Sequence, residues 1–427
     1  MKITDVETVR LDVPFKPRPG RSMARRFWRW SIIDVYVVKT DAGLVGYGET
    51  VVHYTWKRVE KEQIERVVGR SPFEFLWDDS LGAGLQMAIY DVAGKALGVP
   101  CYRLLGKKLR DRCPVSWWCK DMPVEDLVEE AKEAVRLGYT NLKLKARPWF
   151  DIIDQVQAVS NATPANFRMD LDFNGLLLNA GNAIRVLHEL EEFPKVAIFE
   201  DPVPRGDIEG CRQVKAKVNR PVALHFGVLP ILTVVKEDLC DALVLSGGVS
   251  TLTQQASVAA MANKPFWIQY VGTGLTTAFV LHLGAVLSHA QLPAITCHEI
   301  YSDDLLRNRI DVQGGYARVP EKPGLGVEVD EDALERFRVE PNFDKVEPEA
   351  LYRFSRRDGS STYYADGDDL FYDFLGGNQP VFERGVNLEV IMNDGSEEFA
   401  RLRSKALSRT IDRSINRTTE VRPIFFK

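Results

Sequence analysis

Apolar and polar positions along the chain follow two regimes. Over the first hundred residues the pattern mixes two periods. The stretches "MKITDVETVRLDV" and "SIIDVYVVKTDAGLVGYGET" alternate and are rich in β-branched residues, which predicts strands, the second broken by a turn at Asp41, Ala42 and Gly43. Between them, "PFKPRPGRSMARRFWRW" is rich in Pro, Gly and Arg and predicts a loop. "SLGAGLQMAIYDVAGKALG" carries Leu85, Ala88, Ile89, Val92 and Ala96 on one helical stripe, with Gly98 as its stop.

From residue 114 short apolar runs alternate with amphipathic segments. The runs are "PVSWW" (114), "NLKLKA" (141), "NFRMDLDFN" (166), "KVAIFED" (195), "PVALHFG" (221), "DALVLSG" (241), "PFWIQY" (265) and "AITCHE" (294). Eight strands at a spacing of roughly 25 residues predict an α/β fold, a closed (β/α)8 barrel. Most of the intervening segments read as helices, such as "VEDLVEEAKEAVRLG" with Leu127, Val128, Ala131 and Val135 on its apolar side. A doubly wound open sheet is the rival, but it has fewer strands and a Gly-rich first turn, which this chain lacks. After the barrel, "GYARVPEKPGLGVEVDEDALERF" is turn-rich and ends in a short helix. From about Pro341 the sequence becomes polar and turn-rich, followed by a helical segment "EEFARLRSKALSRTIDRSI". Residues 341–427 read as an appended extension, a module or subunit contact of unassigned role.

Composition narrows the setting. A chain of 427 residues with 45% apolar and 27% charged residues suits two or three globular units with ample core. A formal net charge of -5 argues against a general nucleic-acid or membrane-surface binder. No apolar stretch approaches the roughly 18 residues that cross a bilayer, and the N-terminus lacks the apolar run of a signal peptide. Six cysteines stand without CxxC pairing, which disfavours a zinc knuckle or a disulfide framework. Together these predict a reduced, cytoplasmic protein. His53, His188, His282 and His289 fit loop or helix surfaces.

Candidate chemistry sits at the strand ends, which surround one mouth of a parallel barrel. Strand two ends in Lys143-Leu144-Lys145, with both lysines on one face because strand side chains repeat every two residues. Strand three ends in Asp172-Phe173-Asn174, strand four in Glu200-Asp201-Pro202 and strand five in His225. Alone, a KLK end is usually a solvated edge, Asp172 a turn residue before Asn174-Gly175, and Glu200 a loop cap. Successive strand ends carrying them all point to a site.

The ordered series "TDAGLVGYGE", "AIYDVAGKALGVPCYRLLG", "RDRCPV", "KLK", "MDLDFNG", "FEDPVP", "ALVLSGGVS" and "VPEKPGLGVEVD" resembles the enolase superfamily, in its mandelate racemase and muconate lactonizing branch. The resemblance implies an α+β capping domain over residues 1–112, completed by about 320–340, and a modified barrel over 113–319. It also implies removal of the proton next to a carboxylate, with a divalent cation, usually magnesium, holding that carboxylate and stabilising the enediolate. Matched by position, Asp172 and Glu200 become metal ligands, Lys145 the base and Lys143 its partner. Hard oxygen ligands suit magnesium, and two lysines on one face should repel and lower each other's pKa.

The series also departs from the family pattern. At the place of the family's third carboxylate ligand on strand five stand His225 and Phe226. Phe226 cannot ligate, so His225 reads as the third ligand or a substitute catalytic acid, and a nitrogen there favours manganese or zinc over magnesium. Ser246 stands at the strand-six mouth, Gln269 at the counterpart of a dyad histidine, and Glu299 at the strand-eight acid. The arginine-rich loop (Arg18, Arg21, Arg25, Arg26, Arg29) falls where the family sends a specificity loop, so Arg21 and Arg25, with Asn174 and Ser246, are candidate contacts for an anionic or polyhydroxylated substrate. The reading that results is a homo-oligomeric enzyme on a small carboxylate, with no nucleic-acid or membrane partner. Dehydration of an acid sugar stands ahead of racemisation or epimerisation of a hydroxy acid. A catalytically silent homologue with an impaired metal site is the rival from another class.

Overall fold

The computed structural model describes residues 1–409, 411 and 413. The N-terminal unit is an antiparallel meander of Ile3–Asp12, Ile32–Thr40 and Val45–Val51, covered by the helix Ala83–Leu97. Sheet and helix approach closely where a Cβ on Gly48 would lie 2.1 Å from the Gly84 carbonyl, so only glycine fits there. The helix stops at Gly98, in the left-handed region, as its sequence predicts. Residues 320–339 return to this unit: Leu325 donates its N–H to Asp91, and Val339 donates to the Arg10 carbonyl.

The predicted loop over residues 14–30 is partly helical. It holds a short helix, Pro17–Met23, and a 3-10 turn, Trp28–Ser31. Its first prolines sit in the opening turn, where a missing N–H costs nothing. Met23 and Trp30 are buried and fasten the segment. Pro and Gly read as breakers only until tertiary contacts recruit the segment.

Seven parallel strands follow in consecutive order: Trp117–Cys119, Asn141–Lys145, Arg168–Asp172, Val196–Glu200, Val222–His225, Ala242–Leu245 and Phe266–Ile268. The predicted eighth strand shrinks to a seam at Ala294 and Ile295, which bridge to Val115 and Gln269. Hydrogen bonds from Ala294 N to Pro114 O (2.9 Å) and from Ile295 N to Ile268 O (3.0 Å) close the barrel. Pro293 removes a donor before the seam, and Cys297, at φ +58°, turns the chain after it. Leu142 and Leu144 are fully buried while Lys143 and Lys145 take the alternate face, which is the barrel interior.

The helix Val124–Arg136 forms as its period predicts: Leu127, Ala131 and Ala134 are buried with Val128 and Val135 half-buried against the same core, and Glu130 joins the buried face. Glu130 is accommodated because Arg18 (2.8 Å) and the Trp117 indole (3.1 Å) both donate to it. His282 also departs from its expected surface position. It lies fully buried on the helix Gly274–Val286, bonded through Nε2 to the Leu325 carbonyl at 3.0 Å. All six cysteines are buried and unpaired, and no described helix is long and apolar enough to cross a membrane.

The extension folds as a three-stranded antiparallel sheet, Ala350–Ser355 between Ser361–Tyr364 and Asn387–Met392, with helices Gly367–Leu375 and Glu397–Leu407. The end of the predicted helical segment and of the extension, residues 410, 412 and 414–427, lies outside the described residues. The module is seated on its own chain. On the barrel, Asp151 accepts from Arg384 Nε (2.9 Å) and Gly385 N (2.7 Å) while capping its own helix through Asp154 N. Near the cap, Lys345 bonds Asp12 at 2.9 Å and His53 faces Asp344 at 3.3 Å.

Two outcomes follow from these contacts. Asp151→Ala removes a helix cap and the charge-assisted anchor of the extension together, and should lower unfolding stability by about 2–4 kcal/mol in chemical denaturation. Burial lowers the His282 pKa from 6.5 to about 4. The unfolded chain therefore binds the extra proton first, and stability from this group is present above pH 6.5 and lost as pH falls toward 4. His282→Gln should flatten the dependence of the unfolding free energy on pH in that window, by up to about 1.4 kcal/mol per pH unit, as read by chemical denaturation.

Candidate active site

Strand register builds the site. Lys145 pairs laterally with Asp172, and Asp172 with Glu200, so three strand ends present their charges side by side. Asp172 and Glu200 are completely buried. Buried carboxylates need countercharge, and the two lysines supply it. Lys145 Nζ donates to Asp172 Oδ2 and reaches Asn174 Oδ1 at 3.2 Å. Lys143 Nζ lies 2.5 Å from Glu200 Oε2, 3.6 Å from Asp172 Oδ2 and 2.5 Å from Gln269 Oε1. The Trp267 ring lies 5.1 Å from the same ammonium.

The lysines behave differently from their expected mutual depression. Burial works against charge on Lys143, but Glu200 and Asp172 outweigh it and hold its pKa above the ordinary lysine value. Lys145 moves down, first through burial and then, against the pull of Asp172, through the charge on Lys143. Asp172 is held below the carboxylate range because the two lysines overcome its burial. Glu200 is pushed up by burial and by the charge of Asp172.

Strand five brings His225 to Asp201, the residue after Glu200. Its Nδ1 lies 2.7 Å from Asp201 Oδ2, which also receives Arg205 Nε at 2.7 Å. Asp201 adopts φ +42°, in the left-handed region that Asp tolerates better than most non-glycine residues. Burial, and then the charge of Arg205, lowers the His225 pKa to about 4. His225 is therefore a neutral imidazole whose Nδ1 sits between the Asp201 carboxylate and the Arg205 guanidinium, with Arg205 Nη2 at 3.0 Å. A neutral ring suits a ligand better than an acid.

Ligand atoms of Glu200, Asp201 and His225 lie within 4.8 Å of one another. Neither Glu200 oxygen meets a well-directed donor, although the Lys143 ammonium is close. Two hard carboxylates and one nitrogen, with orphaned buried oxygens, fit a divalent cation. The cluster differs from the expected set in one member: Asp201 joins it, while both lysines engage Asp172.

A cavity of about 100 Å³ opens above these groups, lined in part by Lys145, Asn174, His225, Gln269, Arg25 and Cys297. Lys143, Asp172 and Glu200 lie beneath its surface. Arg25 is buried, paired with Asp121 at 2.6 Å and stacked 4.5 Å from the Trp149 ring. Arg21 is turned away, half-exposed and bound to Asp126 at 2.7 Å. Ser246 lines a neighbouring cavity of about 420 Å³ that shares His225, Gln269 and Tyr54 with the first. Glu299 lines neither. It is buried beside His298 and the Tyr139 hydroxyl, and burial pushes its pKa to about 7. Cys297 takes the strand-eight place at the mouth instead.

Sequence reasoning missed Arg147, Arg205 and Asp201 as members of the site. Arg147 lines the cavity and donates to Asn174 Oδ1 at 2.6 Å. Its signal was present, since Lys143, Lys145 and Arg147 continue one alternation. Asp201 was hidden because period-two alternation assigns the residue after Glu200 to the opposite face, and only its left-handed turn brings it back.

A capped parallel barrel with paired lysines and carboxylates at its mouth defines an enzyme of the lyase or isomerase class. The chain belongs to the enolase superfamily, in the mandelate racemase and muconate lactonizing enzyme branch. Residues 126–333 match the family model "Enolase C-terminal domain-like". A D-galactonate dehydratase of Xanthomonas oryzae pv. oryzae is 30% identical over 361 residues, covering 73% of this chain and 92% of the relative. A D-xylonate dehydratase of Haloferax volcanii is 28% identical over 397 residues, covering 79% and 89%. Among solved structures, a mandelate racemase/muconate lactonizing family protein from Azoarcus sp. EbN1 superposes with a TM-score of 0.66 at 24% identity, covering 81% of this chain and 99% of that one.

Titration calorimetry with magnesium and manganese tests the cation site. Glu200→Gln should weaken binding by more than about tenfold. His225→Glu, which restores a hard oxygen, should strengthen magnesium relative to manganese.

Proposed function

We propose that this protein dehydrates an acid sugar by a one-base, syn elimination. The observation that carries the reading is an asymmetry across the cavity. Lys145, a lysine of lowered pKa, stands on the strand-two side, and Gln269, a neutral amide, stands at strand seven. Racemisation needs a base on each face of the reacting carbon, and an amide does not serve as one. The dehydratase relatives support the same choice.

In this reading, Lys145, once it has given up its own proton, takes the proton from the carbon next to the carboxylate. The resulting ammonium returns a proton to the hydroxyl of the neighbouring carbon on the same face. That C–O bond breaks, water leaves, and the enol becomes a 2-keto-3-deoxy acid. Glu200, Asp201 and His225 would hold the divalent cation, which would supply binding of the substrate carboxylate and stabilisation of its developing charge. Lys143, kept charged by Glu200 and Asp172, adds fixed positive potential beneath the reacting carbons. Arg25 and Arg147 offer donors to hydroxyl groups from the loop and the strand-two end.

A second reading draws on the same ion pairs. Both lysines are satisfied by Asp172 and Glu200, which favours a homologue that binds acid sugars without turning them over. Incubation of the magnesium-loaded protein with D-galactonate and D-xylonate in deuterated water separates the two. A 2-keto acid should form with solvent deuterium at the deoxy carbon, and Lys145→Ala should lower kcat/KM by about 100- to 10,000-fold. Binding with neither product nor exchange selects the silent homologue. Full activity in Lys145→Ala removes the assigned base.

A further inference from the structure

The extension contributes to the cavity. Beyond the barrel ends and the cap loop, the lining includes Phe371, from the helix Gly367–Leu375 of the C-terminal module. Phe371 is 5% exposed, and its ring centroid lies 5.2 Å from the Arg26 guanidinium, itself a lining residue. One turn earlier, Asp368 Oδ1 lies 3.3 Å from Arg26 Nε. Gly367 packs so tightly on the loop that a Cβ there would come 2.3 Å from the Arg25 carbonyl. The helix therefore holds the backbone of the loop that carries Arg25, Arg26 and Phe27 over the site.

The same module grips the barrel rim. Phe382 meets Phe173, the residue after Asp172, edge-on at 5.5 Å between centroids. The Asp 151 anchor, Arg384 and Gly385, follows within three residues of it. One body of the chain thus bridges the loop above the site and the rim beside it, with an apolar ring facing the cavity between them.

We propose that the C-terminal module forms a wall of the active site in cis and that Phe371 sets chain-length selectivity among acid sugars. The identity of the ligand class rests on the acid-sugar reading above. With the carboxylate end held near the strand ends, the hydroxylated chain extends toward the loop, and the ring beside Arg26 limits its reach. A hydroxymethyl group that fits or clashes at such a wall changes selectivity by about tenfold or more.

Tryptophan fluorescence reads binding without turnover, because Trp30, Trp118 and Trp149 line the cavity. Affinities for D-xylonate, D-galactonate and glucoheptonate, acids of rising length, are measured with magnesium for wild type, Phe371→Ala, Phe371→Leu and Phe371→Trp, alongside kcat/KM. Phe371→Ala and Phe371→Leu should shift preference toward the longer acids, by about tenfold for Ala, and Phe371→Trp toward the shorter. Thermal midpoints identify the folded variants, and the Leu and Trp variants carry the test where Ala fails to fold. A length ratio unchanged in folded variants overturns the proposal, as does a wild type that binds none of the three acids. Length-dependent binding without product keeps the wall and removes the dehydration. Product without a length shift does the reverse.

Discussion

The alignment of Lys145, Asp172 and Glu200 across three parallel strands is the constraint on which the rest depends. Two carboxylates with no solvent exposure are tolerable only with countercharge supplied inside the barrel. Lys143 and Lys145 supply it from one face of one strand, and parallel register fixes which carboxylate each one meets. A shift of one residue would send both lysines outward among the helices. The charges therefore tie these strand ends to one register.

The surroundings follow from that centre. Glu200 leaves its oxygens without well-aimed donors, and the chain answers with a second clamp one residue on, where Asp201 binds both His225 and Arg205. Strand five ends in His225, a neutral ring, and Asp201 and Arg205 together fix its orientation. Above, cap loop and extension meet over the cavity. The pairs Arg25–Asp121 and Arg26–Asp368 bring the loop's cations inward, so the same contacts that order the loop shape the space available to a ligand.

Much of this was legible in the residues. The meander, the helix ending at Gly98 and the strand ends with Lys143, Lys145, Asp172 and Glu200 rest on local periodicity, which survives folding. Less legible were features that depend on distant partners. The loop over residues 14–30 became helical because Met23 and Trp30 found a core, and His282 was buried because the return segment supplied a carbonyl. Glu299 fell beside the mouth because the eighth strand is a two-residue seam, after which a left-handed Cys297 redirects the chain.

The sequence by itself determined the barrel, its cap and the side chains on its inner face, because strand alternation and helix period are properties of neighbouring residues. Tertiary structure alone decided which charges meet. It placed Asp201 beside His225, put Cys297 rather than Glu299 at the cavity, and folded residues 350–407 back against the cap loop and barrel rim. Those outcomes turn on contacts between residues far apart in the chain, such as Arg26 with Asp368 and Phe173 with Phe382, for which no local pattern carries a signal.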